Sequence, residues 1–155
     1  MQKSLKICSA WVAALTLAGT GFFPVHVLAQ SMGKDATYVS PTSGTKLRIL
    51  LDESNLGGSE VEVAEIEFPP GVDSGAHVHG AVEIFYVLEG ELEHIVNGKK
   101  YVLGPGMIGH VRPPDEVIHR VKADGPPCKA LVIWAPGGEA NRLTEEFGYT
   151  AHPIR

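Results

Sequence analysis

Short runs of β-type residues separated by turn residues constrain the fold of this chain more than any other feature. After the first 30 residues, apolar and β-branched side chains recur in such runs, with Gly, Pro, Asn or Asp between them. Asn97-Gly98, between two of the runs, is a strong β-hairpin signal. Helical periodicity is scarce until Glu139–Phe147, where Arg142 and Glu146 are spaced to pair as i and i+4. The pattern predicts an all-β sandwich or barrel with a short C-terminal helix.

Val82–Leu88 is a nearly continuous apolar run interrupted by a single charge, Glu83. Such a run is typical of a strand buried on both sides. Side chains alternate along a strand, so Phe85 and Val87 share the face of Glu83. The opposite face, formed by Ile84, Tyr86 and Leu88, needs a cover. Either Tyr38 and Val39 of the N-terminal arm or a second subunit would supply it, and the second choice predicts a homodimer.

The alternation changes phase within another predicted strand, Glu60–Phe68. Val61 and Val63 are the apolar positions at its start, whereas Ala64, Ile66 and Phe68 are the apolar positions after it. One extra residue shifts every following side chain to the other face, so the slip predicts a β-bulge near Val63-Ala64.

Met1–Ala29 has the pattern of a secretory signal peptide. Lys3 and Lys6 precede the apolar segment Ile7–Ala18, and Val27-Leu28-Ala29 ends in a small residue with a compatible residue two positions before it, as suits signal peptidase. The alternative is an uncleaved membrane anchor, against which His26 and the Gly and Pro residues argue. We therefore expect a periplasmic or secreted protein without a stable membrane span after cleavage.

The remaining chain is predicted to be one domain with two short extensions. We expect an N-terminal arm at residues 30–45, a barrel at 46–136, and a C-terminal helix and tail at 137–155. The net charge of −5 becomes about −7 once the two signal lysines are removed, and there is no Lys or Arg run. Nucleic acid is therefore not expected as a partner. Cys128 is the single remaining cysteine, and we expect a plain buried thiol there.

Three side chains with metal-binding chemistry follow one another at even spacing. His77, His79 and Glu83 share one parity, so in extended backbone they point to the same side. A buried, unpaired Glu83 carboxylate would be costly, and a cation is a suitable partner. His119, from a distant strand, would complete the set. Three nitrogens and one oxygen would leave an open position on a divalent ion.

The segment from Gly71 to Gly90 resembles the first cupin motif, G-x5-H-x3/4-E-x6-G with its usual second His, at every fixed position. The second cupin motif is matched in part. Pro114 and His119 align with it, but Glu116 and Ala123 stand where Gly and Asn are usual. These departures concern the loop at Pro113–Glu116 rather than His119 itself.

This resemblance covers roughly Leu47–Ala135 and implies a double-stranded β-helix, also called a jelly-roll barrel. It implies that His77, His79, Glu83 and His119 bind one divalent metal inside the barrel, near one mouth. Manganese or iron is favoured by the resemblance, and the ligand set also suits zinc, nickel or copper.

Cupins host many reactions, so the resemblance leaves the function open. The first hypothesis is a metal-dependent oxidoreductase, most plausibly a dioxygenase, acting on a small oxygenated compound. Glu83 would balance charge and accept a proton. The alternatives are a lyase, isomerase or hydrolase that uses the metal as a Lewis acid on a sugar or keto acid, and a non-catalytic cupin that binds a metal or small ligand.

Each of the other polar side chains in the predicted barrel has two possible roles. His94 shares parity with apolar Leu92 and Val96, so it is a candidate for substrate contact or proton transfer; otherwise it is a half-buried His bonded to a neighbouring strand. His110 and Arg112 share a face. If that face looks inward, Arg112 would bind a carboxylate, and if outward, both are solvated.

Overall fold

The computed structural model describes residues 36–154, so the predicted signal peptide lies outside the described residues. The strands are β1 (Ala36–Val39), β2 (Lys46–Leu51), β3 (Glu62–Phe68), β4 (His77–Val78), β5 (Val82–Glu89), β6 (Leu92–Val96), β7 (Lys99–Leu103), β8 (Ile108–Val111), β9 (Glu116–Arg120), β10 (Cys128–Ala135) and β11 (Thr150–Pro153). The helices are α1 (Glu53–Leu56) and α2 (Glu139–Glu146). Within the described residues, neither helix has the length and apolarity needed to cross a bilayer.

Two antiparallel sheets form the barrel. The larger has the strand order β11-β1-β2-β3-β10-β5-β8, and the smaller has the order β4-β9-β6-β7. Their inner faces supply a common apolar core that includes Leu47, Phe85, Leu92, Val132 and Trp134. The predicted all-β jelly-roll fold with a short C-terminal helix is confirmed.

Strand β5 buries one face only, which corrects the prediction of burial on both sides. Phe85 and Val87 are buried as expected, but Tyr86 is 43% and Leu88 40% exposed. The N-terminal arm does not cover them, because β2, β3 and β10 lie between β1 and β5 in the sheet. The arm is therefore excluded as the cover, and cover by a second subunit stays a prediction.

The β-bulge predicted within β3 is absent. Burial alternates without a slip from Glu62 through Ala64 to Phe68, so the acidic Glu62 faces inward. Its Oε2 accepts hydrogen bonds from the backbone N–H groups of Gly138 at 3.1 Å and Ala140 at 3.0 Å, at the start of α2. The sequence phase slipped because a carboxylate that caps a helix occupies a core position. The register irregularity lies on the neighbouring strand β2 instead.

Several local predictions agree with the structure. Asn97 and Gly98 have φ angles of 49° and 77° and connect β6 to β7 as a two-residue hairpin. In α2, Arg142 Nε donates to Glu146 Oε2 at 2.9 Å. The arm and the tail each contribute a strand, since β1 pairs with both β2 and β11. The C-terminal segment is thus joined to the large sheet.

Gly90, at the end of the first motif, has a backbone that leaves no room for a side chain. Its φ is +75°, and a Cβ there would lie 2.3 Å from the Pro127 carbonyl oxygen. Gly98 has nearly the same φ, +77°, but nothing within 4 Å of its Cβ position. The two positions therefore separate the cost of a positive φ from the cost of a backbone clash.

We expect Gly90→Ala to lower the free energy of unfolding by about 3 kcal/mol, and Gly98→Ala by about 1 kcal/mol. Urea denaturation of both variants under one set of conditions would measure the difference. Equal losses would show that the approach of Pro127 does not constrain this turn.

Candidate metal centre

The predicted metal ligands come together at one end of the barrel, from both sheets. His77 lies on β4, and His79 is the first residue after that strand. Glu83 lies on β5 and His119 on β9. The ring centroid of His77 is 4.9 Å from that of His79 and 5.4 Å from that of His119. Pairing of β4 with β9, with His77 opposite Val117, holds His77 close to His119. The structure thus brings all four predicted ligands together.

The Glu83 carboxylate is at the centre of this cluster and is 2% exposed. Its Oε1 accepts a hydrogen bond from Trp134 Nε1 at 2.9 Å. Trp134 is directly opposite Glu83 in the β10–β5 pairing, so the sheet register sets this contact. The other oxygen, Oε2, lies 3.0 Å from His79 Nε2 and 3.5 Å from His119 Nε2. One oxygen of Glu83 is therefore fixed by Trp134, and the other faces the histidines.

Three buried atoms of the cluster make no hydrogen bond of acceptable geometry: His79 Nε2, Glu83 Oε2 and His119 Nε2; His94 Nδ1, behind His119, is a fourth. His79 Nε2 and Glu83 Oε2 are 3.0 Å apart and form an ion pair when His79 is protonated, so these two atoms lack a partner only when the ring is neutral. Burying polar atoms unpaired is costly, so their convergence needs a compensating group. Two ligand atoms bound about 2.1 Å from one ion at adjacent positions are roughly 3.0–3.4 Å apart, close to the separations observed here. By donor type and convergence, the residues fit a divalent ion.

The donor atoms are of the types that bind a divalent ion, but they do not form a complete coordination shell. Within residues 36–154, no group of three or more His, Cys, Asp or Glu side chains is arranged to hold a metal ion as it stands. The buried polar atoms of the cluster nonetheless need a compensating group.

The second ring nitrogen of two candidate ligands is held by an oxygen. His77 Nδ1 lies 2.9 Å from the Gly75 carbonyl oxygen, and His79 Nδ1 lies 3.2 Å from Glu139 Oε2. When Nδ1–H donates to these acceptors, the neutral ring presents its Nε2 lone pair to a metal. Sequence analysis did not identify Glu139, because it belongs to a helix 60 residues away and no spacing pattern connects it with His79.

Burial and neighbouring charges shift the pKa values of the cluster in opposite directions. Burial lowers the pKa of His79, but the carboxylates of Glu139 and Glu83 outweigh it and raise the pKa to about 9. Burial dominates at His119 and lowers its pKa to about 3 despite the nearby Glu83 carboxylate. Burial raises the pKa of Glu83, but His79, His119 and Trp134 together bring it below its usual value. Glu83 is thus ionised, and His119 neutral.

His94, the other predicted catalytic residue, lies behind His119. It is 2% exposed and stacks on His119 with 5.3 Å between ring centroids, since the two are paired across β6 and β9. Its Nε2 lies 3.2 Å from the His110 carbonyl oxygen. The geometry is that of a buried His bonded to a neighbouring strand, and a role in proton transfer stays a prediction.

The remaining polar candidates lie away from the cluster. His110 and Arg112 are both exposed, so their shared face points outward. Of the two predictions for these side chains, the structure agrees with contact to solvent. Cys128 is fully buried, and burial raises the pKa of its thiol to about 11, as expected of an unreactive cysteine.

The loop in which the second motif departs from the usual pattern is held by a side chain from another turn. Asn97 donates from Nδ2 to Asp115 Oδ1 at 2.8 Å, and its Oδ1 accepts from the Glu116 backbone N–H at 3.1 Å. These contacts order the loop without the usual Gly. His119 accordingly reaches the cluster, as predicted.

A cavity of about 380 Å³ opens onto the ligands. Apolar side chains line it on several sides, among them Ile66, Phe68, Phe85, Leu143 and Phe147. Hydroxyl and charged side chains also line it, among them Ser40, Thr45, Asp73 and Arg142. A cavity of this size is typical of sites for small molecules. His94 is not among the lining residues.

Comparison with known proteins agrees with this fold. The cupin domain family matches residues 64–134. Solved structures with a similar fold include KdgF from Halomonas sp., at 17% identity and a TM-score of 0.56, covering 67% of this chain and 89% of that one. An RmlC-like cupin from Shewanella frigidimarina is 24% identical with a TM-score of 0.58, covering 73% and 95% of the two chains. Ectoine synthase from P. lautus is 21% identical with a TM-score of 0.58, covering 74% and 78%. Comparison with curated proteins gives no significant match.

The pKa of His79 makes the stability of the metal-free protein depend on pH. Because the pKa of His79 is about 9 in the folded protein and 6.5 for an unperturbed histidine, the protonated ring stabilises the folded state fully below pH 6.5, and this contribution is lost as the pH rises through 9. In chelator, we expect the free energy of unfolding to fall by on the order of 1–2 kcal/mol from pH 6.5 to 8.5.

Urea denaturation at several pH values would measure this loss. His79→Gln should remove it, whereas His110→Gln, at an exposed position, should retain it. An unchanged slope in His79→Gln would contradict the assignment.

Proposed function

We propose, on the basis of the match of residues 64–134 to the cupin domain family, that the chain is an exported, metal-dependent, dioxygenase-like oxidoreductase that acts on a small oxygenated compound. His77, His79, Glu83 and His119 would hold one divalent ion, with iron or manganese favoured. One observation carries the proposal: buried, unpaired atoms of His79, Glu83 and His119 converge beside a cavity of about 380 Å³. Export would depend on the segment Met1–Ala29, outside the described residues.

The ligand set supports a reactive ion rather than a structural one. Structural zinc sites usually have four tightly held ligands rich in thiolate, whereas nitrogen and oxygen sets suit iron and manganese. Three neutral imidazoles and one carboxylate would leave a divalent ion with a net charge of about +1. A bound ion of this kind would polarise substrate oxygens and, as iron or manganese, would support redox chemistry.

The protein groups around the site would orient the substrate and exclude water. Phe85 packs edge-on against His119 at 4.7 Å, and Phe68 lies 5.7 Å from the same ring, so this side of the site is dry. Glu83, whose carboxylate is ionised, would balance the charge of the ion and would accept a substrate proton. Trp134 would hold the carboxylate in position during that transfer.

Oxygen consumption by the iron- or manganese-loaded protein, measured on a panel of diketones and phenolic acids, tests the reaction. We expect turnover that requires oxygen, and His119→Ala should lose metal and activity at least about tenfold. His110→Ala, which removes an exposed imidazole, is the matched control and should retain both.

Equal metal content in the wild type and His119→Ala would contradict the metal site. Anaerobic turnover at an undiminished rate would instead reject the oxidoreductase and favour Lewis-acid chemistry.

We further propose that two copies pair through the exposed face of the large sheet. Tyr86 and Leu88 on β5 are 43% and 40% exposed, and Ile108, opposite Tyr86 on β8, is 65% exposed. Half-buried Leu131 on β10 extends this apolar surface from the other side of Tyr86. An apolar face without charges at its centre is complementary to a second copy related by a two-fold axis.

Tyr86→Glu should shift the protein from dimer to monomer in light scattering coupled to size-exclusion chromatography. Tyr101→Glu, at an equally exposed tyrosine on β7, should leave the dimer intact. A monomeric wild type at high concentration would contradict the pairing.

A further inference from the structure

The C-terminal helix α2 inserts a second buried carboxylate beside the candidate metal ligands. Glu139, the first residue of α2, is 7% exposed. Its Oε1 accepts a hydrogen bond from the Gly80 backbone N–H at 2.8 Å, and its Oε2 lies 3.2 Å from His79 Nδ1. Glu139 lies beyond residue 134, where the cupin family match ends. Its position is therefore a feature of this chain's own C-terminal segment.

The helix is fixed to the barrel independently of His79. The Glu62 carboxylate binds the backbone N–H groups of Gly138 and Ala140. Arg142, one turn along α2, donates through Nη2 to the Val78 carbonyl oxygen at 2.8 Å. These contacts hold both sides of Glu139 against the barrel wall. Contacts other than the one with His79 therefore also hold the Glu139 carboxylate in place.

Arg142 also offsets the charge of this second carboxylate. Its Nη1 donates to Glu139 Oε2 at 3.0 Å and to Oε1 at 3.2 Å. A second buried carboxylate beside Glu83 would otherwise add to the negative charge that a single divalent ion has to balance. With Arg142 in contact, part of the Glu139 charge is offset, while Glu139 Oε2 still lies 3.2 Å from His79 Nδ1 as a hydrogen-bond acceptor.

The His79 ring can face the site correctly in one tautomer only. If Nδ1–H donates to Glu139, Nε2 carries the lone pair, and Nε2 is the buried, unpaired atom 3.0 Å from Glu83 Oε2. His77 obtains the equivalent support from the backbone oxygen of Gly75. A carboxylate acceptor makes an imidazole a stronger ligand than a carbonyl acceptor does, because it stabilises the positive charge that the ring gains on binding.

We propose that Glu139 is a positioning residue that orients His79 towards a divalent ion and strengthens it as a ligand. The inference rests on the proposed metal centre, and it links α2 to that centre. Helix residues Leu143 and Phe147 line the cavity, so one helix both supports a ligand and forms part of the wall around the substrate.

Cobalt(II) binding to the full chain tests the proposal without any enzyme assay. Glu139→Ala removes the acceptor, and Glu139→Gln keeps an acceptor oxygen of the same shape but removes the charge. We expect Glu139→Ala to weaken cobalt affinity about 10- to 100-fold and to change the visible absorption spectrum of the bound cobalt. Glu139→Gln should recover part of the affinity.

Glu145→Gln is the matched control, because it removes a carboxylate from the same helix at an exposed position. It should leave cobalt affinity and spectrum unchanged. Thermal unfolding in chelator would identify the folded fraction of each variant, so that affinity is compared for folded protein.

If the wild type binds cobalt and Glu139→Ala binds it equally well with the same spectrum, Glu139 has a structural role only, and the proposal is overturned while the metal centre stands. If the wild type binds no cobalt, manganese or iron, the metal centre fails and the role of Glu139 fails with it.

Discussion

The structure depends on the burial of one carboxylate, that of Glu83, in the inner face of β5. An ionised carboxylate removed from water costs several kcal/mol unless its oxygens are paired. Trp134 satisfies one oxygen through the register of β10 and β5. The other oxygen faces two histidines on the side of the opposite sheet. His79 is the residue after β4, and His119 lies on β9. The two sheets are therefore joined at one end by polar atoms that converge on Glu83, and along the rest of the barrel by apolar packing.

Three histidines, His79, His94 and His119, are buried in the part of the barrel around Glu83. His94 pairs with His119 across two strands, and Phe85 closes the other side of His119. Burial keeps the His119 ring neutral, with its pKa lowered to about 3. A neutral imidazole is the form that binds metals, so the packing around His119 would suit the proposed role of this ring as a ligand.

Strand parity made the centre of the site predictable from sequence. His77, His79, Glu83 and Phe85 follow from alternation and from the cost of a lone charge in an apolar strand. The exposed face of β5 was not predicted, because an apolar run has the same pattern whether its outer side meets solvent, a helix or another subunit. The prediction of a bulge near Glu62 was wrong for a related reason. A carboxylate at a core position makes the alternation of the strand look shifted by one residue, whereas Glu62 faces the core and binds the start of helix α2. Glu139 was missed because a contact between residues 60 positions apart leaves no periodic signal.

The two carboxylates that sequence analysis did not place, Glu62 and Glu139, act on the same helix. Glu62 binds the backbone at the start of α2, and Glu139 extends from that start to His79. Each group is buried and paired, so removing either leaves a donor without its partner rather than an empty space. The strands set which ligands can meet, and the helix sets how one of them is oriented. A change at Glu139, in the segment after β10, would therefore alter the contact with His79 without altering any residue of the strands.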